Sequence, residues 1–169
     1  MAERTIEKLK SIMNSDLCTR CGSCVGLSEG KIIFTDREGK YLPEVISEPD
    51  EHLAKRLLDS CPGKDFNFKE FRGKFYNDAP EFHTYTGPVF SVGIAHSNVP
   101  MIRNMGASGG MISAILIWLL ENKKIDGAVV TGMSKTEPWL TKPFIATTPE
   151  EILSAAQSKY IITSVNEIL

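Results

Sequence analysis

The chain has 169 residues, 42% hydrophobic and 24% charged, the mix of a soluble globular protein with one ordinary domain or one domain plus a small module. Its net charge of −2 excludes the basic footprint that nucleic acid or anionic lipid requires, and no block of like charges suggests an interaction tail. The most apolar run, MISAILIWLL at 111–120, is short of the about 20 residues that span a bilayer, and MAERTIEKLKSIMNSDL at the start lacks the apolar core of a secretory leader, so the expected setting is the cytoplasm.

In chain order, residues 2–14 place Ile6, Leu9, Ile12 and Met13 on one helical face, which predicts a helix leading into CTRCGSCVG at 18–26. KIIFTD, REGK and YLPEV then read as strand, turn and strand. SEPDEHLAKRLLDSC predicts a helix with Pro49 in its first turn, Asp50 and Glu51 at its positive end, and Leu53, Leu57 and Leu58 as its apolar stripe. Cys61-Pro62-Gly63 ends it, because proline cannot continue a helix and glycine tolerates the turn. Residues 64–87 scatter aromatics among polar residues without a clean period. They read as a connector whose aromatics anchor on the following domain.

A second unit is expected from residue 88. PVFSVGIAHS predicts a strand, and GASGG at 106–110 a glycine loop that opens a long apolar helix. DGAVVTGM and KPFIATT predict two further strands, Thr148-Pro149-Glu150-Glu151 a capped helix start, and YIITSV a short strand or turn. SVNEIL reads as the start of another helix, so the expectation is an N-terminal piece of a longer protein or a form that borrows surface from a partner. The fold class expected is α+β or α/β. A small ferredoxin-like iron–sulfur module (1–63) and a connector (64–87) lead into an α/β domain (88–169) that looks incomplete at its C-terminus.

Three of the four cysteines fall in C-x-x-C-x-x-C at Cys18, Cys21 and Cys24, and the fourth is Cys61, followed by proline. Disulfides suit this poorly, because three thiols sit within seven residues of a chain with no leader. A tight loop bearing three thiolates suits three corners of a 4Fe–4S cluster, with a remote Cys-Pro completing it, and Gly22 and Gly26 let backbone N–H groups approach the sulfurs. Zinc and free thiols stay open as alternatives. Zinc sites usually draw on two separated knuckles, and the extra ligand nearby would be His52.

The GASGG loop offers exposed N–H groups and a helix dipole to a phosphate, with a hydroxyl from Ser108, a charge from Arg103 and close backbone approach at Gly109 and Gly110. The alternative is a helix start where glycines permit tight packing, since the loop is neither a Walker nor a dinucleotide fingerprint. Lys159 is a second candidate phosphate contact. His83 and His96 have no partner pattern, and no Ser/His/Asp set or carboxylate pair suggests hydrolysis.

CTRCGSCVG, DREGKYLPEV and CPGKD together resemble the iron–sulfur segment of the coenzyme F420 hydrogenase/dehydrogenase beta-subunit family. IRNMGASGGMISAILIWLLENKKIDGAVVTG and KPFIATTPEEILSAAQSKY resemble its central domain. The resemblance implies FAD near an iron–sulfur cluster, with electrons passing to or from coenzyme F420 or another acceptor. It also implies other redox subunits or electron carriers as partners and a small redox substrate. It carries Cys18, Cys21, Cys24 and Cys61 over as cluster ligands, Ser108, Gly109 and Gly110 as the loop near the flavin, and Ser158, Lys159 and Tyr160 as a second cofactor stretch. Many members have a further cysteine where this chain has Leu27-Ser28, so one cluster is expected rather than two. The family's C-terminal portion is absent from this sequence. A flavin-free electron-transfer module and a zinc-stabilised interaction module are the competing classes.

Overall fold

The computed structural model describes residues 4–37, 40–76, 81–83, 85 and 87–169. They divide into two compact units: Met1–Lys64 with His96–Leu169, and Asp65–Ala95.

In the first unit, α1 (Thr5–Met13) buries Ile6, Leu9 and Met13, the face that its periodicity marks. The cysteine loop follows, with a single turn α2 (Ser23–Gly26), and leads into the hairpin β1 (Ile32–Arg37) and β2 (Lys40–Val45). Ile32 faces Val45 and Phe34 faces Pro43, so the period-two alternation puts one side of the ribbon inward. Helix α3 (Glu51–Asp59) starts later than its sequence suggests, with Pro49 before it rather than in its first turn. Asp50 is the N-cap, its carboxylate accepting from Leu53 N–H at 2.8 Å, and Pro49 lies just before it.

Leu9, Ile32 and Leu57 are wholly buried at the centre of this core, with Met13, Leu53 and Leu58 around them and Cys24 and Cys61 packed on its edge. Leu57→Ala is therefore expected to cost about 2–5 kcal/mol, the range for a leucine cavity that cannot collapse. Urea unfolding monitored by circular dichroism measures this, and a loss well under 1 kcal/mol would mean that the core is not closed around Leu57.

In the second unit, α4 (Phe68–Phe75) forms inside the expected connector. Asn67 caps it by accepting from Glu70 N–H at 3.1 Å. The aromatics there stack on one another: Phe66 on Phe71 with ring centroids 4.8 Å apart, and Phe71 on Phe75 at 5.9 Å. They recur at helical spacing once the helix is in place, a period that the mixed composition hides. β3 (Glu81–His83) pairs antiparallel with β4 (Gly87–Val89). The long strand expected from PVFSVGIAHS stops at Val89, and residues 91–97 carry no regular structure. Val92 and Ile94 are exposed there, and an apolar alternation makes a strand only where a neighbour pairs with it.

Back in the first unit, α5 (Pro100–Met105) and α6 (Met111–Glu121) flank the glycine loop. β5 (Ala128–Met133) and β6 (Thr141–Ala146) pair antiparallel, Val130 opposite Phe144. The α/β expectation would make such strands parallel, but the short link between them cannot hold a crossover, which takes a dozen residues or more. The result is α+β, with three two-stranded antiparallel sheets among the described residues. Helix α7 (Pro149–Ser154) is capped as its sequence indicates: Thr148 Oγ1 accepts from Glu151 N–H at 3.2 Å, and Glu151 accepts from Thr147 N–H at 2.7 Å.

A second core gathers Ile102, Ile117, Ala146, Ile152 and Leu153. Helix α6 is apolar on nearly every side, yet Ile112, Ile115 and Trp118 stay exposed. YIITSV forms no strand, and SVNEIL forms a 3-10 turn (Val165–Ile168) rather than a longer helix. Among the described residues no helix is long and apolar enough to cross a membrane.

Candidate metal centre and cofactor loop

The C-x-x-C-x-x-C segment can fold back on itself because two of its residues are left-handed: Arg20 at φ 56° and Gly22 at φ 89°. The turn brings Cys18, Cys21 and Cys24 round one small cavity, and Cys61-Pro62, delivered by the end of α3, closes it. Leu9, Ile12, Met13, Phe34 and Pro43 supply apolar walls. Ser28, just past the loop, is wholly buried and bonded away from the cavity. It donates to Val25 C=O at 2.9 Å and accepts from Ile32 N–H at 3.0 Å.

The electrostatics record how closely the sulfurs gather. Burial pushes the Cys24 thiol up to about 12, and the charges of Cys18, Cys21 and Cys61 add to it. Cys61 is also raised, by burial first, against N–H groups of Gly63 and Lys64 that favour its thiolate. Cys21 goes the other way. Burial acts to raise it, but hydrogen bonds, from Ser23 foremost and from Thr19 and Asn166, bring it below the ordinary cysteine range. Four thiolates this near repel one another, and a cationic centre among them offsets that. The donor set therefore fits an iron–sulfur cluster. Among the described residues no three His, Cys, Asp or Glu side chains are grouped tightly enough to hold a single metal ion. His52 does not line the cavity.

Three features of this site lie outside the sequence reading. The C-terminal 3-10 turn sits directly on the cysteine loop: Asn166 N–H donates to Cys21 C=O at 2.8 Å, and its side-chain amide donates to Ser23 Oγ at 3.0 Å. Gly22 and Gly26 are needed for this approach. A Cβ on Gly22 would lie 2.6 Å from Glu167 N, and one on Gly26 2.3 Å from Asn166 O. Tyr41 joins the two segments. Burial and the Glu167 carboxylate raise its hydroxyl's pKa, against a hydrogen bond with Ser164, while its ring stacks on Phe34 at 4.5 Å. SVNEIL reads in the sequence only as a helix start, and no local pattern there marks its contact with the cysteine loop.

The cofactor-loop residues are not brought together with the cysteines. Ser108 is exposed, Gly109 C=O accepts from Ser97 N–H at 2.7 Å, and the Arg103 guanidinium donates to Ser108 C=O at 3.4 Å. Gly110, at φ 71°, is the N-cap of α6, and a Cβ there would meet Ile102 O at 2.7 Å. Part of the glycine content thus serves packing of α5 on α6. Ser158, Lys159 and Tyr160 line a separate open groove of about 680 Å³ with Trp139, Met133 and Met105, the last residue before the glycine loop. Lys159 Nζ caps the end of α7, donating to the carbonyls of Ala155 at 2.5 Å, Ala156 at 2.6 Å and Gln157 at 3.1 Å. Its desolvation there lowers its pKa. His96 Nδ1 lies 3.0 Å from Ser97 O, and the side chain of His83 lies outside the described residues.

Residues 93–169 match the family described as coenzyme F420 hydrogenase/dehydrogenase, beta subunit N-term. A coenzyme F420-dependent sulfite reductase of Methanocaldococcus jannaschii is 30% identical over 161 residues, 95% of this chain and 22% of that protein. A match that long takes in the cysteine region as well. A coenzyme F420 hydrogenase subunit beta of Methanosarcina barkeri is 35% identical over 79 residues, 47% of this chain and 27% of that protein. The corresponding subunit of Methanothermobacter thermautotrophicus is 36% identical over 66 residues, 39% of this chain and 23% of that protein. The chain thus spans about a quarter or less of the length of each of these relatives.

Proposed function

The chain belongs, through residues 93–169, to the coenzyme F420 hydrogenase/dehydrogenase beta-subunit family, and from that premise we propose that it is the iron–sulfur and flavin-binding part of an oxidoreductase. The observation that carries the proposal is the convergence of all four cysteines on one apolar-walled cavity. A zinc site is less well supported. Zinc–sulfur bonds of about 2.3 Å hold four sulfurs within about 4 Å of one another. One short loop supplying three of the four sulfurs suits the wider frame of a several-iron cluster better than a single zinc ion, whose sites usually draw on two separated knuckles.

In this reading a 4Fe–4S cluster would supply one-electron transfer, and FAD would supply two-electron exchange with coenzyme F420 or another small acceptor. The protein's part is binding and placement. Cys18, Cys21, Cys24 and Cys61 would hold the cluster, and Leu9, Ile12 and Phe34 would keep water from its core side. Ser108, the Arg103 guanidinium and the first N–H groups of α6 suit a phosphate of FAD, with Gly109 and Gly110 giving the backbone turn that exposes them. The groove bearing Ser158, Tyr160 and Trp139 is of a size to take a planar ring. Lys159 supports that groove by fixing the end of α7 rather than by touching phosphate directly. The exposed Ile112, Ile115 and Trp118 suit burial against further protein, in keeping with a role among redox subunits or electron carriers in the cytoplasm.

The test is anaerobic reconstitution followed by iron and sulfide analysis and titration with FAD, read by flavin fluorescence. Visible iron–sulfur absorbance and saturable quenching are expected. Arg103→Ala should weaken FAD by about tenfold or more, the worth of one charge-assisted hydrogen bond. A brown protein that leaves flavin fluorescence unchanged favours a flavin-free, ferredoxin-like electron-transfer module. The packing role of Gly106 and Gly110 already speaks for that reading. A colourless protein holding zinc would make it an interaction module.

A further inference from the structure

We infer that Asn166, from the C-terminal turn, is a positioning residue for the metal centre, acting through Ser23 on the sulfur of Cys21 and so setting the cluster's reduction potential. The inference rests on the cysteine cavity being the cluster site. Three contacts carry it. The Asn166 side-chain amide donates to Ser23 Oγ at 3.0 Å, the Ser23 hydroxyl lies 3.5 Å from Cys21 Sγ, and Asn166 N–H holds Cys21 C=O at 2.8 Å.

Direction follows from valence. An amide NH₂ can only donate, so Ser23 Oγ must accept from Asn166. As a free thiol, Cys21 donates its proton to the same oxygen. As a cluster ligand it has no proton, and the serine hydroxyl, its oxygen already engaged, turns its own hydrogen to the sulfur. Asn166 thereby polarises the hydroxyl, and the two bonds reinforce each other in a site where Ser23 is 9% exposed. A hydrogen bond to a ligand sulfur favours the reduced, more negative cluster, which raises the potential.

The geometry also explains why the turn is so close. Glycine at 22 and 26 removes the two side chains that would hold Asn166 and Glu167 away. The Ser164 hydroxyl, 4% exposed, ties back to the Glu167 carboxylate and keeps the turn closed. A residue more than 140 positions downstream thus reaches a ligand of the centre. The family match covers the turn and not the cysteines, so the segment that would bind flavin also bears on the cluster's potential.

The test is an anaerobic redox titration followed by electron paramagnetic resonance, with iron content measured in parallel. It compares the wild-type chain with Ser23→Ala, Ser23→Thr, Asn166→Ala and Asn166→Asp. Asn166→Asp keeps the shape but replaces the donor with an acceptor, so the serine hydroxyl turns to the carboxylate and away from sulfur. Ser23→Ala, Asn166→Ala and Asn166→Asp should lower the midpoint. The oxidised-to-reduced ratio at a fixed poise should rise about tenfold, which is ~59 mV for one electron. Ser23→Thr should restore the wild-type value, and Asn166→Ala should add little to Ser23→Ala, the signature of a shared path. Iron-loaded variants with an unchanged midpoint overturn the inference, as does equal loss of iron in all variants, Ser23→Thr included. A wild-type chain that takes up no cluster overturns the functional proposal and this inference with it.

Discussion

Cys61→Ser is expected to leave a folded chain that holds little iron and shows no visible iron–sulfur absorbance. On the proposed function Cys61 is the ligand brought from outside the loop, and it lines the same cavity as Cys18, Cys21 and Cys24. A serine hydroxyl is a hard, weakly acidic donor and replaces a thiolate poorly at iron. The fold should survive, because Leu9, Ile32 and Leu57 are wholly buried among aliphatic side chains that Cys61 only edges. Ser60→Ala is the matched control. Its hydroxyl bonds Leu57 C=O at 3.0 Å and does not line the cavity, so iron content should stay at the wild-type level. Retention of iron and spectrum by Cys61→Ser would sink the four-cysteine assignment.

Gly22→Ala is expected to destabilise the chain by about 2–5 kcal/mol, and Gly30→Ala by only about 1–2 kcal/mol. Both glycines have positive φ, 89° and 79°, so both alanines bear the left-handed strain. They differ in what a methyl group meets. At Gly22 it lies 2.6 Å from Glu167 N and 3.1 Å from Ser164 Cβ, whereas nothing stands within 4 Å of it at Gly30. The difference between the two therefore isolates the seating of the C-terminal turn on the cysteine loop. Chemical denaturation of the metal-free proteins measures it, and equal losses would show that the turn is not held there. Gly22→Ala should also lower iron retention, since pushing the turn away releases Cys21 C=O from Asn166.

Much of the local structure is legible in the sequence. The stripe Ile6, Leu9 and Met13, the capping residue Thr148, and the Pro62-Gly63 stop each act over a few residues, and each stands in the structure where the pattern puts it. The aromatic segment was harder. Asn67 caps a helix there, but Phe66, Phe68, Phe71 and Phe75 lie among charges, so their spacing gives little contrast. Residues 91–97 fail in the opposite sense, because alternation alone does not supply a pairing partner.

The spacing of Cys18, Cys21 and Cys24, with Cys61-Pro62 at the end of a capped helix, already makes a metal-centre candidate in the sequence, because those features act through local geometry. Which residues lie against the cysteines is a different matter. Nothing in CTRCGSCVG points to SVNEIL, and the reasons for Gly22, Gly26 and Ser23 become apparent only with Asn166 and Glu167 beside them. Likewise the glycine loop and Ser158–Tyr160 read as similar cofactor stretches, yet Lys159 is drawn to three helix-end carbonyls. Contacts between distant segments depend on the packing of the whole unit, and short-range patterns carry no record of it. The sequence determined the candidate donors and the elements that carry them, and the tertiary structure decided which residues lie beside them.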